Sequence, residues 1–299
     1  MEKKLKYYLQ SFQHKGKPFA MAMRANGHKP TFRYPDVAFF DRPNTSRSNT
    51  QRFVEGGSIV IEYPHAPVPP WWYDGIESIP KYVSCIFVVG EAQKEAMKVI
   101  APHANVRVCG FPWAEQLPFQ NGKIKKILFA PIHPSKRAIR PEAREANMRI
   151  LSALCSLKGY DIWCRTVGDR NMQGIKEVSN IQYITGSTDG SYVDIDSCDL
   201  VIAEGTYMFM AVARGKPVIG INQRIANSFN CETSFPKQWD KYGHLFAYPV
   251  DFDDAPLPEL IDRARENQVQ WKKRCMPEFN PKSFSEMVVT EYNRSKSNE

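Results

Sequence analysis

The 299-residue chain is 42% hydrophobic and 24% charged, ordinary values for a folded protein of one large or two medium domains. No apolar run approaches a membrane span, and Met1-Glu2-Lys3-Lys4-Leu5-Lys6 has no apolar stretch behind it, so a soluble cytoplasmic protein without stable membrane insertion is expected. The net charge of +8 is concentrated: residues 1–52 hold eleven Lys or Arg against Glu2, Asp36 and Asp41, and the remainder balances at 29 against 29.

A basic excess at one end is an electrostatic footprint for a polyanion or an acidic surface; the plainer reading is a solvated face with no partner. The seven cysteines (Cys85, Cys109, Cys155, Cys164, Cys198, Cys231 and Cys275) are scattered, with no spacing that suits zinc. They favour a reducing compartment and no structural metal.

Strand-like and helical patterns alternate along the chain, which predicts an α/β protein with mainly parallel sheets. In the first half a helix is expected over Leu5–Gln13, then a strand over Val37–Asp41. Thr50–Glu55 reads as helix, Ser58–Glu62 and Tyr82–Val89 as strands, Ala92–Ile100 as helix and Val106–Cys109 as strand. Pro112, Pro118, Asn121 and Gly122 then break the pattern, so a domain boundary is expected near residue 120.

The second half restarts with a strand at Ile127–Pro131, a helix over Glu142–Leu157 and strands at Asp161–Thr166, Ile181–Thr185, Leu200–Ala203 and Val218–Ile221. A long helix over Leu257–Lys273 completes a domain of residues 121–280, and a last helix, Phe284–Asn293 within 281–299, is expected to cross back to the first domain, 1–120. The architecture implied is two similar α/β halves with a cleft between them.

Ligands of open α/β sheets bind where strands end, and four loops of the second half leave strand ends. "FAPIHPSKR" offers His133, Ser135, Lys136 and Arg137, charges suited to clamping a diphosphate, or else to an incidental surface turn. "IWCRTVGDRN" delivers Arg165, which would otherwise face solvent. "ITGSTDGSYVDI", with Thr188, is a polar loop able to hold a base or ribose. In "LVIAEGTYMFMAVARGKPVIGIN" a strand reaches Glu204, Gly205 and Thr206 just where a helix opens, and free N–H groups there suit a phosphate. The bland alternative is an ordinary strand–helix–strand unit whose glycine eases a turn. Asp194-Ile195-Asp196 has the spacing of a metal pair but sits in a helix or turn ahead of a strand.

"FVVGEAQKEAMKVIAPHANVRVCGFPW" followed by "KKILFAPIHPSKR" resembles the region joining the two domains of GT-B glycosyltransferases and of CDP-glycerol glycerophosphotransferase-like enzymes. "STDGSYVDIDSCDLVIAEGTYMFMAVARGKPVIGIN" is similar to the donor-binding core of that superfamily, and the resemblance covers roughly residues 58–222. It implies a GT-B fold of two Rossmann-like domains with an inter-domain cleft. It also implies a nucleotide-activated donor as cosubstrate, most often a UDP-sugar, with no other cofactor, held at Gly205 and Thr206; the placing of Asp194 and Asp196 favours charge neutralisation by protein groups over a metal. Many GT-B enzymes carry a Glu before the helix Ala to hold the ribose; here Met210 precedes Ala211, so ribose recognition must differ, with Glu204 the candidate contact and the choice of nucleotide left open.

The first half should then supply the base and the acceptor site. His65, on the loop after "VIEY", matches the His of the glycerophosphotransferase-like His-Gly loop, although Ala66 replaces the Gly. A neutral imidazole suits removal of a hydroxyl proton, with Asp41 the rival base. Trp71 and Trp72 could stack on a base or sugar, or simply anchor their loop. The first 52 residues interleave Lys29, Arg33, Arg42 and Arg47 with Phe12, Phe19, Phe32 and Tyr34. That pattern suits a nucleic-acid backbone more than lipid, which favours DNA carrying a hydroxymethylated base, as in compact bacteriophage GT-B enzymes, as acceptor and partner. A surface polymer acceptor and a catalytically silent nucleotide- or nucleic-acid-binding module are the alternatives.

Overall fold

The computed structural model describes residues 3–10, 14–41, 47–64, 81–132, 141–167, 170, 175–176, 178–185, 191–221, 248–252, 255–266 and 268–297. The chain forms two α/β units, Met1–Trp113 with Lys273–Glu299, and Ala114–Lys272.

The first unit contains β1 (Lys6–Leu9), α1 (Lys17–Ala25), β2 (Lys29–Pro30), β3 (Val37–Phe40), α2 (Arg47–Glu55), β4 (Ile59–Glu62), β5 (Val83–Val88), α3 (Glu91–Ile100) and β6 (Val106–Val108). Its strands pair in the order β2-β1-β3-β4-β5-β6, all parallel. The central strands β3 and β4 are buried at every residue, because helices cover both faces of a parallel sheet.

The helix expected over Leu5–Gln13 is instead β1. Leu5, Tyr7 and Leu9 are buried while Lys6 is exposed, a period of two rather than 3.6. Lys6 N–H donates to Asp36 Oδ2 at 2.7 Å, tying the start of β1 to the turn before β3.

The second unit contains β7 (Lys126–Phe129), α4 (Pro141–Ser156), β8 (Asp161–Thr166), β9 (Gln182–Thr185), α5 (Ser191–Asp196), β10 (Leu200–Ala203), α6 (Gly205–Ala213) and β11 (Val218–Gly220). The strands are again all parallel, in the order β11-β10-β7-β8-β9. The expected helix over Leu257–Lys273 is two, α7 (Leu257–Glu266) and α8 (Gln268–Cys275).

The last helix, α9 (Pro281–Ser297), lies in the first unit, where Phe284, Val288 and Tyr292 enter the core beside Phe39 and Phe87. Its Glu291, 1% exposed, accepts from Asn105 at 2.7 Å and from Arg107 and Arg294 at 2.9 Å each. A buried carboxylate so fully bonded fixes the helix on β5 and β6 rather than letting it slide.

Strand order reverses direction at one place in each sheet. In the first sheet the chain leaves β1 for β2 and returns past it to β3; in the second, β8 and β9 lie on one side of β7 while β10 and β11 lie on the other. Crevices at such reversals are where open α/β sheets hold ligands.

Candidate functional site

At the reversal in the second unit, β7 and β10 run side by side, with Phe129 opposite Ile202 and Ala130 N–H donating to Ile202 O at 2.8 Å. Two chain segments therefore leave adjacent strand ends, the stretch beginning at His133 and the turn Glu204–Thr206. Asn147 of α4, fully buried, grips the base of the first. Its Oδ1 accepts from Ile132 N–H at 2.9 Å and its Nδ2 donates to Ile132 O at 3.1 Å.

The second segment opens α6. Glu204 has extended backbone angles and its side chain makes no capping bond to the helix. The first N–H groups of α6 lack intrahelical acceptors, as in any helix, and the Glu204 side chain does not stand in for them. Gly205 has φ +51, a conformation that favours glycine, and among the described residues nothing lies within 4 Å of where a Cβ would stand. The first turn of α6 thus combines open space with unsatisfied donors, the elementary requirements for an anion. Burial pushes the Glu204 carboxyl up to about 7, so near neutrality a large fraction is uncharged beside those donors.

Arg165 is 7% exposed, with its Nε donating to Asp194 Oδ2 at 2.9 Å and its guanidinium 4.8 Å from the ring centre of Tyr207. It joins β8 to α5 and to the first turn of α6. Its guanidinium therefore has an acidic partner on α5 and an aromatic ring on α6. Asp194 and Asp196 do lie on a helix, α5, and each has an arginine: Arg214 donates to Asp196 Oδ1 and Oδ2 at 2.9 and 2.7 Å. Among the described residues, no group of three or more His, Cys, Asp or Glu is gathered as for a metal ion.

The Gly215-Lys216-Pro217-Val218 element has a packing explanation. Lys216 is 2% exposed, and its ammonium donates to Gln120 Oε1, Asp196 O and Cys198 O at 2.8, 3.0 and 2.7 Å. All three of its protons are used. Gly215 has φ +73, and an added Cβ would lie 2.0 Å from Pro118 O. The motif fastens the 115–120 segment to the end of α6.

In the first unit Asp41, partly buried, directly follows β3, and Tyr63 follows the adjacent β4. The Tyr63 hydroxyl is buried with no hydrogen-bond partner, and burial first, then the charge of Asp41, raises its phenol well above the ordinary range. Sequence reading missed Tyr63, since a tyrosine after an apolar strand reads as core. Lys29 and Arg33 are exposed, but they lie where β1 and β3 begin, the edge opposite Asp41. The first sheet therefore does not bring Lys29 and Arg33 together with Asp41. Arg47 opens α2. His65, Arg42, Trp71, Trp72, His133, Ser135, Lys136, Arg137 and Thr188 lie outside the described residues.

No protein-family profile matches the sequence, and no curated protein matches it. Solved structures do. The S. aureus MnaA–UDP co-structure matches with a TM-score of 0.53 at 11% identity, over 99% of this chain and 97% of that one. The glycotransferase of kitacinnamycin gives 0.51 at 10% identity, over 97% and 99%. A variant of the wall teichoic acid polymerase TagF gives 0.50 at 10% identity, over 99% and 89%. With its two parallel Rossmann-like sheets, the chain has the GT-B fold. Among the described residues, no helix is long and apolar enough to cross a membrane.

Proposed function

We propose that the chain is a nucleotide-sugar-dependent glycosyltransferase whose donor diphosphate binds at the β7/β10 reversal. The observation that carries this reading is the open, uncapped start of α6 beside the strand end that leads into His133-Pro134-Ser135-Lys136-Arg137. In the proposed reaction an acceptor hydroxyl attacks the anomeric carbon and loses its proton to His65, with Asp41 the rival base. The bond from that carbon to the diphosphate oxygen breaks. The charge growing on the diphosphate is met by the N–H groups of Gly205 and Thr206 and by Lys136 and Arg137. Glu204 is the proposed ribose contact, and a UDP-sugar is the proposed donor, in keeping with the likeness to a structure solved with UDP.

Calorimetric titration with UDP and UDP-sugars tests the donor site. Arg137→Ala is expected to weaken binding and slow transfer about tenfold or more, since a charge-assisted contact is typically worth ~1.5–3 kcal/mol. Unchanged affinity and turnover in that variant would remove the assignment.

For the acceptor we propose a hydroxymethylated base in DNA, supported by the +8 charge of residues 1–52. A surface-polymer acceptor is the second reading, favoured by the likeness to a wall teichoic acid polymerase. Transfer of labelled sugar to hydroxymethylated duplex DNA, set against transfer to a polyol-phosphate polymer, decides between them.

A further inference from the structure

A pocket of about 300 Å³ opens where β3 and β4 begin, on the edge of the first sheet opposite Asp41, and its size is at the lower end of ligand clefts. The turn 32–35 forms one side, and the end of α2 with Gly56 and Ser58 forms the other. Ser58 Oγ donates to Pro35 O at 2.6 Å and Ile59 N–H to Asp36 O at 3.0 Å, so the two sides are fastened together. Beneath them Phe53 packs on Tyr8, with ring centres 4.7 Å apart, and Tyr8 meets Phe32 edge-on at 6.3 Å. The pocket is built on the sheet.

Three features mark its rim. Phe32 and Tyr34 are 74% and 83% exposed, the two most exposed large hydrophobic side chains among the described residues. Tyr34 has φ +49 and is the one described residue other than glycine with a positive φ, so a bulky ring is kept where glycine or asparagine would be easier. Arg33 and Arg52 both line the pocket, are exposed, and have no ion-pair partner among the described residues. Unpaired guanidinium groups beside open aromatic rings suit a ligand that carries both a flat ring and a phosphate.

We infer that this pocket binds a nucleotide unit, its base against Phe32 or Tyr34 and its phosphate between Arg33 and Arg52. The site is separate from the donor site and does not depend on which acceptor is glycosylated. Because the rings are open to solvent and the basic residues continue along the N-terminal segment, the favoured source is single-stranded nucleic acid. A free mononucleotide is the other source of the same chemistry.

Binding of a fluorescent ten-nucleotide single strand to the full chain, measured by anisotropy at several salt concentrations, tests the inference. Mononucleotide and inorganic polyphosphate serve as competitors. The double variant Arg33→Gln/Arg52→Gln should weaken binding and reduce the slope of log affinity against log salt by about 0.7, the share of the one phosphate they hold on a single strand. Phe32→Ala/Tyr34→Ala should weaken binding about tenfold with the slope unchanged, because stacking carries no counterion. Thermal unfolding of each variant reports that it is folded.

Displacement of the strand by a mononucleotide, lost in both variants, would support the inference with a free nucleotide as the source. Two results would overturn it: no strand binding even at low salt, or binding that polyphosphate abolishes and that both variants retain. UDP titration of the same proteins keeps a failure here distinct from a failure of the donor-site reading.

Discussion

Arg165 Nε and Asp194 Oδ2 stand 2.9 Å apart although 29 residues separate them in the chain, and the arginine is 7% exposed while the aspartate is 21% exposed. The pair makes β8, α5 and the first turn of α6 a single unit. Removing only the carboxylate takes the ion-pair partner from a buried guanidinium, whereas replacing both groups with apolar ones leaves no buried charge. Asp194→Ala is therefore expected to cost about 3–5 kcal/mol in urea denaturation. The double variant Arg165→Met/Asp194→Leu should recover most of that loss. Equal stability of the single and double variants would show that the ion pair is not the link.

Burial raises the Glu204 carboxyl to about 7, well above the ordinary carboxylate range, and this predicts a pH dependence of stability. A raised carboxyl pKa means that the folded state holds the proton more tightly than the unfolded chain. The sign is thus a loss of stability as pH rises from about 4.5 to about 7, complete above that window. Glu204→Gln should flatten this part of the profile and melt higher than the parent at pH 8. Melting curves at pH 5 and pH 8 for both proteins provide the check.

Lys216→Met keeps the length of the side chain and removes its three donors. The carbonyls of Asp196 and Cys198 then lose a charged partner, and a loss of roughly 2–3 kcal/mol is expected. Because Lys216 also holds Gln120, protease cleavage in the 115–125 segment should accelerate in the variant. UDP affinity should change little, since the ammonium has no direct part in the donor site.

Tyr63 and His65 separate stability from activity. Tyr63→Phe deletes a buried hydroxyl without a partner and is expected to stabilise the fold by about 1 kcal/mol. Because that hydroxyl is buried, turnover should stay near the parent's. His65→Ala should lose roughly 10²–10⁴ in rate with little change in donor affinity, as expected for a general base. A variant as active as the parent would move the role to Asp41.

The inner strands were readable because each is buried on both faces and appears as an unbroken apolar run, as in Val37–Phe40 and Leu200–Ala203. β1 was not. Its four residues are preceded by lysines, and the alternation of Leu5, Tyr7 and Leu9 is too short to stand out against a helical spacing. The opening of α6 at Gly205 was visible as a strand, a glycine and a helical run. The engagement of Arg165 with Asp194 was not, since nothing local to "IWCRT" points to a partner on α5. Gly215 and Lys216 were legible as a motif, but their packing against Pro118 and Gln120 depends on a segment nearly a hundred residues earlier.

The grip of Asn147 on both backbone groups of Ile132 has a consequence for how the molecule can change. One amide ends the regular part of β7 and settles the position and direction of the chain just before His133. Both bonds go to backbone groups of Ile132, so Asn147 holds the end of β7 whatever the sequence of the eight residues, His133 to Arg140, that follow. A transplant of that stretch from a protein of the same fold should yield a chain that folds as before and prefers a different nucleotide. Asn147 is the residue to hold constant in such an exchange.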